Sequence, residues 1–224
     1  MSDKRKVLIT GASNGFGDAL VKQFKEDDNY EVYGTYKDHQ IETLDKYHSF
    51  HVDLANASTI ETFIEDLINS DVKFDILINN AGIMPDKNFD ECYPDLLVET
   101  LEVNLMGTVI LTEELLNDAL LAEDCTIVNV SSILGSISEA VDKYHPAYKI
   151  SKAALNMYTR TLAAKYDESS KIIVGIHPGW MKTSMGGSDA PVNPSDSAKN
   201  LFNLINEKKL ENGNFYVDFE KANW

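Results

Sequence analysis

The sequence predicts an α/β fold in which a doubly wound parallel sheet of about seven strands carries helices on both faces. The alternation of two kinds of segment along the chain predicts it. Short apolar runs typical of strands alternate along the chain with longer segments of helical periodicity. This alternation requires crossover connections, which place helices on the faces of a parallel sheet. At 224 residues the chain suits one domain, 1–224, with one substantial core.

The predicted strands and helices follow one another in the order that this fold requires. Strands are expected at 6–10, 30–36, 48–52, 74–79, 125–131, 171–177 and 214–218. Helices are expected at 15–26, 57–69, about 93–121, 146–167 and 195–208. A loop-rich stretch at 184–194, with two glycines and two prolines, follows the sixth strand.

A glycine-punctuated turn joins the first strand to the first helix. Its spacing is Gly-x-x-x-Gly-x-Gly, which differs from the common dinucleotide fingerprint. Free N–H groups and the positive end of the helix dipole face whatever lies above such a turn. The turn therefore predicts a pyrophosphate site. Its candidate contacts are Gly11, Ser13, Asn14, Gly15 and Phe16.

The second and third predicted strands end near charged residues. Lys37 follows the second strand, and Asp53 with Leu54 follows the third. Tyr33 and Lys37 have the spacing Tyr-x-x-x-Lys, but in an extended strand their side chains would be roughly 13 Å apart.

Polar residues follow the fourth and fifth predicted strands. The fourth is followed by Asn80, Ala81 and Gly82, and the fifth ends in Ser131 and Ser132. In an open parallel sheet, ligands bind beyond the carboxyl ends of the strands, so these residues are expected to meet. Because side chains alternate along a strand, the two serines are expected on opposite faces.

The helix at 146–167 contains Tyr148 and Lys152, four residues apart and therefore on one helix face. A phenol with a pKa near ~10 is a poor acid or base at neutral pH. A neighbouring ammonium favours the phenolate and is expected to lower the pKa of Tyr148. Taken alone, each residue is more typical of an ordinary helix position, but together they predict acid–base chemistry.

These motifs together resemble the short-chain dehydrogenase/reductase family. The matching segments, in the order of the family, are Thr10–Gly17, Asn79–Gly82, Ser132, Tyr148 with Lys152, and Pro178–Thr183. The segment His177–Gly187 and the tail from Asn212 are similar to the subgroup of sniffer-type carbonyl reductases and C-factor signalling proteins. The resemblance implies a Rossmann-like fold and an NAD(P)-dependent oxidoreductase acting on a small-molecule carbonyl.

The resemblance also implies roles for the catalytic residues. Tyr148 donates a proton to the carbonyl oxygen as hydride arrives, and Lys152 lowers the phenol pKa and binds the nicotinamide ribose. Ser132 holds the carbonyl oxygen; it is preferred to Ser131 because Ser132 matches the hydroxyl-x-x-Gly register of the family. Asn104 holds a water in a proton relay to Lys152, with a polar residue at a helix kink as the alternative.

The remaining candidate residues are implied as cofactor contacts. Asp53 and Leu54 resemble the adenine-edge contact, with an N-cap as the alternative role for Asp53. Asn80, Ala81 and Gly82 line the adenine ribose and pyrophosphate. The nicotinamide is cradled by Pro178, Gly179, Met181 and Thr183.

NADP(H) is favoured over NAD(H) at the end of the second strand. An acidic residue there would repel a 2′-phosphate, whereas a cation would bind it. No carboxylate occupies the position of Tyr36, and Lys37 follows. Asp38, next in the chain, and Asn14, where NADP-using relatives often place a basic residue, oppose this prediction.

The composition indicates which partners and which cellular compartment to expect. The formal charge of −16 argues against nucleic acid and anionic membrane surfaces. Cys92 and Cys125 are isolated, which suggests a reducing compartment, and the amino terminus has no signal-peptide core, so a cytoplasmic location is expected. Five scattered histidines indicate no metal site.

A homodimer is expected over a tetramer, with a monomer as the alternative. By resemblance, the helices at 93–121 and 146–167 form a two-fold four-helix interface. The first of them has more apolar positions than one buried stripe needs: Leu96, Leu97, Leu101, Leu105, Val109, Leu115 and Leu116. Acidic residues on the same helix oppose self-association: Glu99, Glu102, Glu113, Glu114 and Asp118.

Two other functions stay open at this point. One is a nucleotide-binding signalling protein of the C-factor type with little turnover. The other is an NAD-dependent alcohol dehydrogenase that runs in the oxidative direction.

Overall fold

An eight-stranded sheet forms the centre of the protein, with the strand order β3-β2-β1-β4-β5-β6-β7-β8. The computed structural model describes residues 4–38, 46–86, 89–139 and 142–224. The strands are β1 Arg5–Ile9, β2 Tyr30–Tyr36, β3 Tyr47–His51, β4 Phe74–Asn79, β5 Leu121–Val130, β6 Ile172–His177, β7 Phe215–Val217 and β8 Glu220–Ala222. All neighbouring strands pair in parallel except β7 and β8.

Six α-helices flank the sheet in the described part of the chain: α1 Gly15–Lys25, α2 Ala57–Asn69, α3 Pro94–Leu101, α4 Thr108–Asn117, α5 Pro146–Lys165 and α6 Pro194–Asn206. A π-helical segment, Glu102–Gly107, joins α3 to α4, and a 3-10 turn, Ile133–Gly135, follows β5. None of the described helices is long and apolar enough to span a membrane.

Strand residues alternate between two cores, one on each face of the sheet. On β1, Val7 and Ile9 join the core beneath α1 and α6, whereas Leu8 joins the core beneath α2 and α4. On β4, Ile78 and Leu77 divide in the same way. This period of two is what a sheet covered on both faces requires, and it confirms the predicted fold class.

The strand count and one helix differ from the prediction. The sheet has eight strands rather than about seven, because the short, charged and exposed β8 adds an antiparallel edge. The helix expected at 93–121 is divided by the π-helical segment and ends at Asn117, and β5 begins at Leu121 rather than at 125. Ala119, with φ 55°, turns the chain between them.

The topology brings the predicted ligand residues together. From β1 the chain proceeds outward to β2 and β3, and it then returns to the other side of β1 as β4. At such a reversal the two neighbouring strands lead into connections on opposite faces, which opens a crevice at their carboxyl ends. The glycine turn after β1 and the segment after β4 lie at this crevice.

Candidate active site

The glycine turn is pressed against the segment that follows β4. Gly11 and Gly15 both have positive φ, at 63° and 55°. A Cβ on Gly11 would lie 2.9 Å from Cα of Ala81, so a larger residue has no room. Asn14, the N-cap of α1, makes no side-chain cap hydrogen bond. The turn thus offers close backbone approach and an uncapped helix end, the features that suit a pyrophosphate.

Thr10 holds this turn and had not been predicted as a site residue. Its hydroxyl oxygen accepts hydrogen bonds from the N–H groups of Asn80, at 2.9 Å, and Ala81, at 3.0 Å. The Asn80 side chain donates to the carbonyl oxygens of Thr10 and Gly11, at 2.9 and 3.1 Å. The side-chain amide of Asn80 therefore holds the glycine turn in place. In the sequence, the position of Thr10 directly before Gly11 was the signal that could have identified it.

The predicted catalytic residues converge at the carboxyl end of β5. Tyr148 is hydrogen-bonded to Ser132, whose oxygen also accepts from the N–H of Leu134 at 3.1 Å. The Lys152 Nζ lies 5.6 Å from the centroid of the Tyr148 ring and donates to the carbonyl oxygen of Val130 at 2.8 Å. The hydroxyl of Ser131 donates instead to Asn156 Oδ1 at 2.5 Å and to the carbonyl oxygen of Lys152 at 3.4 Å. The two serines therefore have different partners, but both contact α5, whereas they were expected on opposite faces.

Close packing of the 3-10 turn on α5 makes this convergence possible. A Cβ on Gly135 would lie 2.7 Å from the backbone carbonyl carbon of Lys152. Only glycine lets the turn approach α5 so closely. The hydroxyl-x-x-Gly register that selected Ser132 therefore has a packing reason in this protein.

Burial sets the protonation of the catalytic pair. It raises the pKa of Tyr148 to about 12, which the hydrogen bond with Ser132 opposes and the charge of Asp86 reinforces. Burial also lowers the pKa of Lys152 to about 8. The pKa of the phenol is therefore raised, whereas it was expected to be lowered, because the loss of water around the phenol is the largest effect on it.

Asn104 lies in the π-helical segment and is buried. Its Oδ1 accepts from the N–H of Ile83 at 2.7 Å, and its Nδ2 donates to the carbonyl oxygen of Ile83 at 2.9 Å and to Ser151 Oγ at 3.0 Å. The helix irregularity matches the alternative of a local kink. The role in a proton relay stays a prediction, and Asn104 clamps the chain that follows Gly82.

The adenine-side candidates meet at the ends of β2 and β3. Lys37 Nζ and Asp53 Oδ2 form an ion pair at 3.0 Å. Burial alone would raise the pKa of the Asp53 carboxyl, but the hydrogen bond from Lys37 helps to bring it below its ordinary value. Asp53 is not the N-cap of α2, because Asn56 has that role and accepts from the N–H of Ser58. Leu54 is buried beside them.

The loop after β6 reaches back to the glycine turn. A Cβ on Gly15 would lie 3.2 Å from Cγ2 of Thr183, so the two loops are close neighbours. The carbonyl oxygen of Pro178 accepts from Ser197 on α6 at 2.7 Å, and Met181 forms an isolated bridge with Val192. Gly179 has φ 92°. Ser197 was not predicted as a site residue. A serine within a helix gives no sequence signal of its hydrogen bond to the carbonyl oxygen of Pro178.

The side chains of Phe16 and His177 are both packed in the protein, and the described residues form no cluster of metal ligands. The side chain of Phe16 is buried in the core, which leaves its backbone at the turn. His177 is largely buried, and burial lowers the pKa of its ring, in accord with a packed residue. Among the described residues, no group of three or more His, Cys, Asp or Glu is placed to hold a metal ion.

A family model described as short chain dehydrogenase matches residues 5–192. The chain belongs to the short-chain dehydrogenase/reductase family. The C-signal protein of Myxococcus xanthus is 31% identical over 148 residues, which cover 65% of this chain and 89% of that protein. The oxidoreductase UcpA of Salmonella typhimurium is 27% identical over 201 residues, covering 86% and 75% respectively.

Solved structures of short-chain dehydrogenases/reductases superpose on nearly the whole chain. One from Burkholderia multivorans with bound NADP has a TM-score of 0.89 and 27% identity, covering 99% of this chain and 100% of that one. The carbonyl reductase Sniffer of D. melanogaster has a TM-score of 0.85 and 28% identity, with the same coverage. An NADPH-bound carbonyl reductase from chicken fatty liver has a TM-score of 0.88 and 25% identity, again with the same coverage.

The protein is therefore an oxidoreductase of the short-chain dehydrogenase/reductase family. The predicted resemblance to the sniffer and C-factor subgroup is confirmed by relatives and neighbours of both kinds.

Proposed function

We propose that the protein is an NADP-dependent carbonyl reductase that converts small aldehydes or ketones to alcohols, with Tyr148 as the proton donor. The observation that carries this proposal is the convergence of Ser132, Tyr148 and Lys152 at the carboxyl end of β5. The solved carbonyl reductases of similar structure support the substrate class.

The described residues fit a dinucleotide. The uncapped amino end of α1 and the positive-φ glycines would take the pyrophosphate, and the loop from Pro178 to Thr183 would take the nicotinamide. When bound, NADPH supplies the hydride. Lys152 would hold the nicotinamide ribose, and Ser132 would hold the carbonyl oxygen beside the phenol.

The protonation state of Tyr148 suits its proposed role as a proton donor. With a pKa of about 12, the buried Tyr148 is protonated throughout the neutral range, so the proton that reduction needs is present, although the group is a weaker acid than a free phenol. Alcohol oxidation would need the phenolate, which burial disfavours.

The NADP preference is proposed from Lys37. Its pKa is raised, chiefly by the hydrogen bond to Asp53, and the charges of Asp38 and Glu99 act in the same direction. A 2′-phosphate would therefore share this cation with nearby carboxylates. The NADP and NADPH bound to structural neighbours support the preference.

A homodimer is proposed from exposed apolar residues on the helices that the prediction singled out. We call them the apolar face: Val98 on α3, Met106 in the π-helical segment, Ile110 on α4, and Ile150 and Met157 on α5. Large apolar side chains in water favour a partner, and helix pairs of this kind suit a second copy of the chain. The cytoplasmic location stays a prediction from Cys92 and Cys125.

A spectrophotometric assay tests the proposed reaction. NADPH and NADH oxidation would be followed side by side over aldehydes, diketones and quinones. Turnover with NADPH is expected, and Tyr148→Phe should lower kcat by at least ~100-fold while nucleotide still binds, since a positioned general acid contributes that much. Tyr144→Phe, which removes an exposed hydroxyl nearby, is the matched control.

Two results would contradict the proposal. Near-normal turnover by Tyr148→Phe would show that the mechanism is wrong. Nucleotide binding without turnover of any carbonyl would favour a signalling role, the possibility that the similarity to C-signal keeps open.

A further inference from the structure

Asp86 is a buried carboxylate that neither the sequence motifs nor the proposed chemistry uses. It lies in the chain after β4, past Gly82, and is 1% exposed. Its Oδ2 accepts hydrogen bonds from the N–H groups of Ala147, at 2.7 Å, and Tyr148, at 3.3 Å. A carboxylate is seldom buried to this extent without a specific partner. Here the partner is the first turn of the helix that carries Tyr148.

The hydrogen bonds at the start of α5 show why this contact matters. His145, the N-cap, has φ 60° and makes no side-chain cap hydrogen bond. Pro146 has no N–H, and the N–H of Lys149 makes the first intrahelical bond, to the carbonyl oxygen of His145 at 2.9 Å. The N–H groups of Ala147 and Tyr148 are left over, and Asp86 accepts from both. One distant carboxylate therefore replaces the local cap.

The same stretch of chain is fixed at its other end to the cofactor turn. Thr10 accepts from the N–H groups of Asn80 and Ala81, and Asn104 binds both backbone groups of Ile83. Asp86 follows three residues after Ile83. Residues 80–86 thus form a short strut between the glycine turn and the amino end of α5.

The charge of Asp86 also reaches the phenol. The negative charge of Asp86 raises the pKa of Tyr148. Burial raises this pKa more strongly, and the hydrogen bond from Ser132 lowers it. Its Oδ1 has no hydrogen-bond partner among the described residues. Burying a carboxylate costs free energy, which the hydrogen bonds from the first turn of α5 offset.

We propose that Asp86 is a positioning residue, whose carboxylate holds the first turn of α5, and with it Tyr148, at a fixed place relative to the cofactor-binding turn. The expected effect on kcat rests on the proposed function, whereas the expected effect on the structure of α5 does not. A misplacement of about 1 Å in a reacting group can reduce turnover ~100-fold.

Kinetic measurements on three variants test the role. Asp86→Ala should lower kcat by ~10- to 100-fold with the nucleotide dissociation constant unchanged. Asp86→Asn keeps an acceptor oxygen and should restore most of kcat. Asp75→Ala is the matched control, because Asp75 also accepts a backbone N–H, that of Lys6 at 2.7 Å, but does so at the amino end of β4. It should keep the parent kcat.

If Asp86 acts by positioning Tyr148, the effects of the two substitutions on kcat should not be additive. In a Tyr148→Phe background, Asp86→Ala should cause little further loss of kcat, because the group that it positions is already absent. A full additional loss in that background would overturn the proposal. A kcat for Asp86→Ala equal to that of Asp75→Ala would also overturn it.

Hydrogen exchange tests the contact without any substrate. The amides of Ala147 and Tyr148 should be protected in the parent and in Asp86→Asn, and should exchange at least ~10-fold faster in Asp86→Ala. Unchanged protection would overturn the proposal even if no carbonyl were turned over, so its failure is distinct from that of the proposed function. If Asp86→Ala does not fold, Asp86→Glu replaces it in both measurements, because it keeps the charge and moves the carboxylate by one methylene.

Discussion

Burial governs the two ionisable residues at the centre of the candidate site. It raises the pKa of Tyr148 to about 12 and lowers that of Lys152 to about 8. Both shifts favour the uncharged form, as loss of water does for any ionisable group. At neutral pH the tyrosine is therefore a protonated acid, and the lysine is close to its titration range.

The buried lysine predicts a pH-dependent stability. Its folded pKa, about 8, lies below its ordinary value of 10.5. Below pH 8 both states carry the charge, and the folded state bears the full cost of burying it. Between pH 8 and 10.5 the unfolded chain binds more protons, so stability rises with pH. Lys152→Met should be more stable than the parent by up to ~3 kcal/mol at pH 7.

Urea unfolding of both proteins at several pH values measures this difference. It should shrink as the pH rises through 8 toward 10.5, because the parent then loses its buried charge. Taking the difference between the two proteins cancels the titration of all other groups. A stability difference that stays constant from pH 7 to 10 would show that folding does not lower the pKa of Lys152.

Cofactor choice is the second prediction at the scale of single residues. Lys37→Glu should weaken NADPH binding by roughly 1–3 kcal/mol, the loss of a charge-assisted contact with phosphate, and leave NADH binding little changed. Lys165→Glu makes the same change of net charge near the carboxyl end of α5 and serves as the control. Equal affinities of the parent for NADPH and NADH, measured by fluorescence titration, would rule out the proposed preference.

At the scale of the elements, three helices end in a left-handed residue that is not glycine. Asp71 follows α2, Ala119 follows α4 and Lys208 follows α6, all with φ between 51° and 55°. After α4, the N–H of Leu120 donates to the carbonyl oxygen of Leu115 at 3.0 Å, the six-to-one bond of a Schellman motif. Glycine at this position is the usual sequence signal of a helix end. The sequence therefore lacks this signal at the end of α4.

Replacing such a residue by glycine should stabilise the protein. Ala119 is exposed and loses no packing, so Ala119→Gly removes a left-handed strain of about 1 kcal/mol. Ala164→Gly, at an exposed position within α5, should instead destabilise by a similar amount. Thermal unfolding decides the matter: shifts of the same sign in both variants would contradict this account of the helix end.

The π-helical segment could not be predicted for a different reason. A Cβ on Gly107 would lie 2.1 Å from the carbonyl oxygen of Leu54, and Asn104 binds Ile83. Both contacts join residues far apart in sequence. Periodicity identifies a helix from its own residues, so it predicted the helical region but not the widened turn that these distant partners require.

At the scale of the whole molecule, the sheet assembles a site whose predicted parts are well separated in sequence. The chemically distinctive residues were predictable, because the glycine turn, the polar strand ends and the Tyr–Lys spacing occur together in one chain. Thr10, Asp86 and Ser197 were missed because they bind backbone groups. Any polar side chain can make such bonds, and only the folded structure shows which ones do.

Charge and apolar surface act against each other in self-association. The chain has a formal charge of −16, and like charges would meet across a two-fold axis. The apolar face opposes this repulsion, with Met157 on it 68% exposed. Salt screens the charges over about 10 Å at 0.1 M without weakening apolar contacts. A dimer built on this face should therefore become more populated as salt is added.

Light scattering across a series of protein and salt concentrations measures the prediction. The mass should approach twice the 25.0 kDa of the chain, sooner at higher salt. Met157→Glu should keep the protein monomeric, because it places a charge in the proposed interface, whereas Ile68→Glu, on α2 and 50% exposed, should not. A mass that stays at that of one chain under all conditions would show that the apolar face remains in water. Dimers that persist in Met157→Glu would show that the two copies meet elsewhere.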